Sequence, residues 1–366
     1  LYALTGASVS IKNSVILLVL IVSPCSFALE AAVEKELNNE LTSIVTEFSI
    51  PALALAVIAS GKLVYAQGFG FKDEENILPV TNKTLFRIAS ISKLFTAQAI
   101  MQLAQKNKLG LDDNISEHLP LMKGSEITVR QLLTHSSGLQ DEIKPLVNER
   151  SIEEYLSLVN TSVSASLGDG QQTSQFNYSD TGFNLLGAIV SVTSGLPFED
   201  YIKLNIFDPA GMSDSGYWDG KRGVAVDVAP TYKGSTLVYD QQRPYDVAFF
   251  PSEGVVSNVA DLGKWAVSTL TYRQDILSKL SYQQMVQPSI KTDWGDIYMG
   301  LGWQVYRDKQ NLVARHPGSI RGYKSLIVTY PDNMDAIILL TNASETPRFK
   351  IVNEITSKLR QAGVWP

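Results

Sequence analysis

Ser90 and Lys93, in the run Ser90-Ile91-Ser92-Lys93, are the residues whose types and spacing most directly suggest chemistry. They lie three apart at the start of an apolar-periodic segment, so on a helix they share a face one turn apart. A hydroxyl at a helix N-terminus meets the positive end of the helix dipole and free backbone N–H groups. Those donors can hold the oxyanion formed when the hydroxyl attacks a carbonyl. A partly buried Lys beside it is expected to have a lowered pKa and to accept the proton. The same spacing fits an N-cap serine followed by a surface lysine, and Ser-x-x-Lys recurs by chance, so the pair needs context.

Other chemistries find little support. The three histidines, His118, His135 and His316, are far apart and form no HExxH or HxH pattern, so no metal site is expected. The acidic pairs Asp112-Asp113 and Glu153-Glu154 read as solvated faces. No GxxxxGK[ST] or GxGxxG stretch is present, which argues against a phosphate-cradling loop. A formal charge of -6 argues against a general nucleic-acid binder, which needs clustered Lys and Arg. With 366 residues, 45% hydrophobic and 19% charged, the chain can bury a large core and is not intrinsically disordered.

The first 28 residues read as an address. Lys12 precedes an apolar run from Val15 to Val22, Pro24 breaks it, and Ser26-Phe27-Ala28 offers a cleavage signal. The run is shorter than the roughly 20 apolar residues that a membrane span needs. Cleavage after Ala28 would start the mature chain at Leu29 and remove Cys25, the one cysteine, leaving no thiol nucleophile and no disulfide. The expected location is secreted or periplasmic, with no stable membrane span after signal removal.

Stepping along the chain, Glu30 to Phe48 reads as an amphipathic helix. Ala52 to Ile58 and Leu63 to Phe71 read as strands about a Ser60-Gly61 turn. Ile91 to Leu109 is a strong helix with Gly110 as its expected stop. Between Ile127 and Phe249, helical patches (Val129–Thr134, Ile152–Val159, Thr181–Val192, Phe198–Ile206) alternate with loops such as Gly168-Asp169-Gly170. Asp261 to Tyr272 is helical again. Gly300–Tyr306, Leu312–Arg315, Tyr323–Tyr330 and Met334–Leu340 read as an antiparallel meander, and Phe349 to Leu359 as a closing helix. Strands at both ends bracket a helical middle. The expected architecture is therefore α+β: an antiparallel sheet flanked by helices, built from 29–89 and 250–366, with a mostly helical insertion over 90–249.

The order of several segments supplies the context that Ser90 and Lys93 need. Phe86-Arg87-Ile88-Ala89-Ser90-Ile91-Ser92-Lys93-Leu94-Phe95-Thr96 is followed by Gly110-Leu111-Asp112-Asp113, then by Leu132-Leu133-Thr134-His135-Ser136-Ser137-Gly138-Leu139. Tyr178-Ser179-Asp180 comes next, with Gly182 and Leu185-Leu186-Gly187, and then Gly211-Met212-Ser213, Gly300-Leu301-Gly302-Trp303 and His316-Pro317-Gly318. In this order and spacing the chain resembles the β-lactamase-like serine hydrolases, a group that includes class C β-lactamases, D-stereospecific peptidases, low-molecular-weight penicillin-binding proteins and related esterases. The resemblance covers nearly all of the chain after residue 28. It implies the β-lactamase/transpeptidase-like fold, with the site in the cleft between the two parts.

The resemblance makes Ser90 the nucleophile, Lys93 its base partner and Tyr178 the second proton-transfer group. A phenol titrates near 10, so Tyr178 would need cationic neighbours, for which Lys93 and His316 are the expected candidates. The oxyanion hole would be the backbone N–H groups of Ser90 and Ser319. Asp180, His316, Gly318 and Ser319 would contact substrate, and Gly318 would let it lie close to the strand. His135 is expected to be structural, with a satisfied side chain.

Three positions depart from the pattern. Asp180 stands where many members have Asn; an anion there would favour charged Lys93, shift proton abstraction towards Tyr178 and alter the substrate class. His316 replaces the Lys of a Lys-Thr-Gly segment and carries less charge near neutrality. Pro317 brings neither hydroxyl nor N–H, and Ser319 or Arg321 are the expected compensation. Together these favour hydrolysis of an ester or amide (D-amino-acyl or related) through a Ser90 acyl-enzyme. The alternatives are a true class C-like β-lactamase and a non-catalytic penicillin- or peptidoglycan-binding relative. No cofactor is implied. The expected partner is a small-molecule or peptidoglycan-like substrate and not a nucleic acid; oligomeric state is not legible.

Overall fold

The strand Ala52–Ala59 (β1) is apolar at every position, and the structure shows why. The computed structural model describes residues 29–73, 77–141, 155–157, 159–161, 175–219, 223–228 and 247–366. In it β1 is buried on both faces of an eight-stranded antiparallel sheet. Ala52, Ala54, Ala56 and Ile58 face one core, and Leu53, Leu55 and Val57 face another. Successive side chains of a strand alternate between faces, so a sheet covered on both sides needs apolar residues at both parities.

The sheet order is β2-β1-β10-β9-β8-β7-β6-β5. Its other members are Lys62–Gly70 (β2), Ile290–Lys291 (β5), Tyr298–Met299 (β6), Gln304–Asp308 (β7), Asn311–Ile320 (β8), Tyr323–Tyr330 (β9) and Asp335–Thr341 (β10). Phe86–Arg87 (β3) pairs separately with Val256–Ser257 (β4). The β1–β2 hairpin turns at Ser60 and Gly61, with φ of 49° and 73°. Positive φ at both turn residues suits the right-handed twist of the flanking strands. Pairing of Leu53 with Thr341 through Ile58 with Ala336 places β1 beside the last strand, which closes the two ends of the chain into one sheet.

The helices Ala31–Glu47 and Arg348–Gln361 cover one face, where Leu37, Leu41, Ile44, Ile351, Ile355 and Leu359 meet Leu53, Leu55, Ile337 and Leu339. On the other face Val259–Leu270 lies against the small residues of β1, and one continuous core runs from there into the helical region. At its centre is Ser92–Gln105, buried from Ser92 through Leu103.

Three local readings change. The central helix ends at Gln105, not near Gly110: Asn107 takes φ of 53°, and the Lys108 N–H returns to the Leu103 carbonyl at 2.9 Å. Asn tolerates this left-handed geometry and so stops the helix early. Second, β8 does not end at Arg315 but runs through Pro317 and Gly318 to Ile320. Its pairing with β7 stops at Gln304↔Arg315, so from His316 onward β8 has only β9 beside it. Proline is tolerated there because no second strand needs its missing N–H. Third, the short pairs β3–β4 and β5–β6 carry too few residues to show a period in the sequence. The proposed leader with Lys12 and Cys25, the Glu153-Glu154 pair and the Gly168-Asp169-Gly170 loop lie outside the described residues.

Candidate active site

Ser90 sits in the single 3-10 turn Ala89–Ile91 that leads into the central helix. Ala89 before it has φ of 50°, a conformation costly for a residue with a Cβ. The turn is tied on three sides. Ser92 Oγ donates to the Ala89 carbonyl at 2.7 Å and accepts from the Val255 N–H at 3.0 Å. Ser325 Oγ, from β9, donates to the Ile88 carbonyl at 2.7 Å. Strand β8 approaches the same turn through Gly318, where a Cβ would lie 2.2 Å from the Ile88 carbonyl oxygen and 2.1 Å from Ser325 Oγ. Glycine at 318 is thus demanded by the nucleophile turn packing beneath the strand. The missing Cβ points inward, toward that turn.

Lys93 is wholly buried. Its ammonium donates to Ser90 Oγ at 3.1 Å and to the Ser252 carbonyl at 3.0 Å, and lies 2.6 Å from Asp180 Oδ1. It stands 5.1 Å from the centre of the Tyr178 ring. Burial alone lowers the pKa of such an ammonium; the charges of Asp180 and Tyr178, with their hydrogen bonds, outweigh burial and hold it above its ordinary value. Burial by itself would give the lowered pKa of a lysine base; the Asp180 carboxylate outweighs it and favours the charged ammonium, in line with the departure expected at position 180. The Ser252 contact depends on Gly187, where a Cβ would fall 2.0 Å from Pro251 Cγ. That contact lets the helix Asp180–Ser194 press against Phe250–Glu253, whose Pro251 carbonyl also accepts from Thr96 Oγ1 at 2.7 Å.

Tyr178 lies just before the helix Asp180–Ser194, whose N-cap Ser179 accepts from the Gly182 N–H at 3.0 Å. Its phenol is in hydrogen-bonding reach of both Ser90 and Lys93. Burial raises its pKa, and Asp180 raises it further, against the pull of Lys93 and the two hydrogen bonds. Asp180 occupies the first turn of the helix, where the dipole favours its charge.

His316 does not supply the expected cation. Its ring is fully buried, and burial followed by the charge of Lys93 depresses its pKa to about 3, so it is neutral. Nδ1 lies 2.9 Å from the Pro317 carbonyl, which makes Nδ1 the protonated nitrogen. Ser319, by contrast, is exposed, and Lys324 Nζ donates to its hydroxyl. The cation set against this strand is Arg348, at the start of the last helix, which donates to the Gly318 carbonyl. Burial, then Arg315, lowers its pKa to about 10, and it feels the charge of Tyr178. Arg321, the cation expected here, lies on the exposed β8–β9 turn.

Sequence reasoning missed Arg348, the Ser252 carbonyl and the aromatic group beside Tyr178. Trp294, 40% exposed between β5 and β6, meets Phe176 edge-on at 4.7 Å and reaches within 6.0 Å of Tyr178. Nothing in the local sequence signals these contacts; the Lys93–Ser252 bond spans 159 positions. The acidic pair 112–113 is engaged, not free: Asp112 takes both guanidinium arms of Arg130, and Asp113 meets His118 at 3.1 Å. Among the described residues no cluster of three or more metal-ligating side chains occurs.

Comparison with known proteins adds what geometry alone does not. The family model described as Beta-lactamase matches residues 37–359. The chain is 28% identical over 313 residues to "Penicillin-binding protein 4*" of Bacillus subtilis, covering 79% of this chain and 68% of that one. It is 25% identical over 326 residues to "Protein flp" of Staphylococcus aureus, covering 85% of this chain and 63% of the relative. The chain thus spans about two thirds of the length of these curated relatives. Among solved structures it resembles an octameric penicillin-binding protein homologue from Pyrococcus abyssi, with a TM-score of 0.75, 29% identity and coverage of 90% of this chain and 77% of that one. A penicillin-binding protein from Bacillus halodurans shares the fold, with a TM-score of 0.72, 24% identity and coverage of 87% and 99%.

Proposed function

The chain belongs to the beta-lactamase family, and on that premise we propose that it is a serine hydrolase that cleaves an ester or D-amino-acyl amide through an acyl-enzyme on Ser90. The observation that carries this is the placement of Ser90 Oγ, 3.1 Å from a wholly buried ammonium and in reach of the Tyr178 phenol. A lysine with no exposed surface and a serine on a strained turn cost stability, and such costs concentrate at working sites.

In the proposed sequence Ser90 Oγ attacks the substrate carbonyl and its proton passes to Tyr178 as phenolate. The oxyanion is held by the backbone N–H groups of Ser90 and Ser319. Tyr178 returns the proton to the leaving alcohol or amine. Water then gives a proton to Tyr178 as its oxygen attacks the acyl carbon, and Ser90 leaves with that proton restored. Lys93 stays an ammonium and offsets the phenolate charge. Since Asp180 and burial both disfavour the phenolate, the competent fraction grows with pH.

The rim supports a particular substrate. Trp294 offers an exposed apolar face, while Lys324 and Arg348 flank Ser319 with positive charge. That combination suits an acyl donor with an apolar group and a nearby carboxylate. His316, neutral and buried, adds no charge of its own. The proposed working compartment is the periplasm or the exterior, from the leader-like pattern of residues 1–28.

The test is turnover of a short-chain p-nitrophenyl ester, a D-alanyl amide and a chromogenic cephalosporin by the protein and by Ser90→Ala. Ester or D-alanyl turnover abolished in Ser90→Ala supports the proposal. Fast turnover of the cephalosporin alone would reassign the substrate. Equal ester turnover by both proteins would remove Ser90 from the chemistry.

A further inference from the structure

His135 was expected to be structural with a satisfied side chain; its Nε2 is instead buried with no hydrogen-bond partner among the described residues, and two hydrogen bonds and a stacked ring join it to the three residues that carry Tyr178. Its carbonyl accepts from the Asn177 N–H at 2.7 Å. Its ring Nδ1 accepts from the Ser179 N–H at 3.0 Å. The ring lies flat on the Tyr178 ring between those two bonds, with centroids 4.3 Å apart and an interplanar angle of 27°. Behind it Phe183 closes at 4.9 Å, so the imidazole is held on its far side as well.

The backbone makes this grip possible. His135 has φ of 54°, in the left-handed region that non-glycine residues seldom enter. With that turn, its main-chain oxygen and its ring both meet the segment 177–179. Two side-chain bonds extend the grip: Asn177 Nδ2 donates to the Leu139 carbonyl at 2.8 Å, and Ser179 Oγ to the Gln140 carbonyl at 2.8 Å. A conformation of this cost persists only where the surroundings enforce it, and here they converge on one phenol.

Nδ1 must be unprotonated to accept from Ser179, so the neutral ring carries its proton on Nε2. The ring is fully buried beside the Lys93 ammonium, so protonation of Nδ1 is opposed by desolvation first and by that charge second. The clamp therefore keeps the same form across the working pH range.

We propose that His135 is the positioning residue of Tyr178: it fixes the phenol opposite Ser90 by a Ser179 N–H bond on one side, an Asn177 N–H bond on the other and a stacked ring between. It touches neither substrate nor the reacting atoms, and the proposal rests on the reading of Tyr178 as the proton-transfer group. Proton transfer is intolerant of misplacement, and a shift of about 1 Å can cost on the order of 100-fold in rate. The cost should appear in kcat and leave KM nearly unchanged, since the acyl donor does not touch His135.

Two substitutions of similar size separate positioning from bulk support. In His135→Asn the side-chain oxygen occupies the place of Nδ1, and Asn tolerates the left-handed backbone. In His135→Gln the polar end falls where Nε2 was, and the Ser179 N–H loses its acceptor. Both lose the ring. With a p-nitrophenyl ester, His135→Asn is expected within about tenfold of the parent kcat, and His135→Gln about 100-fold down with KM within threefold. Equal kcat in the two variants, or losses carried by KM, would overturn the proposal. Thermal midpoints are recorded for both; should His135→Gln fail to fold, His135→Phe, which keeps a ring and lacks the acceptor, takes its place. Tyr178→Phe is measured alongside. If it retains the parent kcat, the reading of Tyr178 falls and this proposal with it. If it is impaired while His135→Gln and His135→Asn match the parent, only the positioning role falls.

Discussion

Replacing Asp180 by Asn should move the alkaline limb of the rate profile towards neutrality. The Asp180 carboxylate lies 2.6 Å from the Lys93 ammonium, and Coulomb's law at an effective dielectric constant of about 20 bounds that attraction at about 6 kcal/mol. Burial of Lys93 opposes it, and the balance leaves the ammonium above its ordinary pKa. The same carboxylate raises the Tyr178 pKa. Asp180→Asn removes one cause from both groups, so both pKa values fall, whichever of them holds the Ser90 proton. A nearby charge commonly shifts a pKa by about 1–3 units, so the rate at pH 7 should rise by about 10- to 1000-fold if the deprotonated form is the active one. Loss of the helix-dipole interaction costs about 0.3–1 kcal/mol, and leaving the buried Lys93 ammonium without its carboxylate commonly costs about 3–5 kcal/mol more, so a lowered thermal midpoint is expected. The assay is the pH dependence of kcat/KM for a p-nitrophenyl ester between pH 6 and 10, with thermal unfolding as a control. A limb that stays in place, or moves to higher pH in a folded variant, refutes the electrostatic reasoning.

Other expectations follow from single contacts. Asp335 is buried and accepts from the Ser60 N–H, and desolvation raises its pKa to about 6. A carboxyl of raised folded pKa favours the native state fully below its unfolded value of 3.8, and that contribution is lost as pH rises through about 6. Asp335→Asn should therefore be more stable than the parent by about 1–3 kcal/mol at pH 8, with the gap closing between pH 6 and 4 in urea unfolding; a gap that does not change with pH counts against this. Gly187→Ala places a Cβ 2.0 Å from Pro251 Cγ and should cost about 1–3 kcal/mol while lowering kcat, since Ser252 moves with Pro251; unchanged unfolding and turnover would show the helices are free to separate. Trp294→Ala should raise KM for esters with large apolar acyl groups and leave acetyl esters nearly unaffected; equal effects on both would remove Trp294 from substrate contact.

Much of the fold was legible because its signals are local. Short apolar runs and turn residues marked β1, β2, β9 and β10, and 3.6-residue periodicity marked the helices Ala31–Glu47, Asp180–Ser194, Val259–Leu270 and Arg348–Gln361. The misreadings share one cause, which is that tertiary partners decided the outcome. Pro317 and Gly318 look like strand breakers, yet they continue β8, because one side of the strand has no neighbour there and a turn packs beneath it. The helix ends at Gln105 because Asn107 turns left-handed, a choice the downstream glycine concealed.

The site divides in the same way. By itself the sequence determined which groups are available: a serine and a lysine one turn apart, a Tyr-x-Asp segment, and a histidine where a lysine is frequent. It also determined that residue 180 is a carboxyl group and not an amide, which favours a charged Lys93 once the two are neighbours. Only the tertiary structure decided that they are neighbours, at 2.6 Å, although 87 positions separate them along the chain. Only the tertiary structure decided that His316 is buried and neutral, and that Arg348 supplies the positive charge beside its strand. Charge state depends on burial and on the distance to other charges, and both are set by which segments pack together. Residue identity names the acids and bases; the packed fold sets which of them hold their protons.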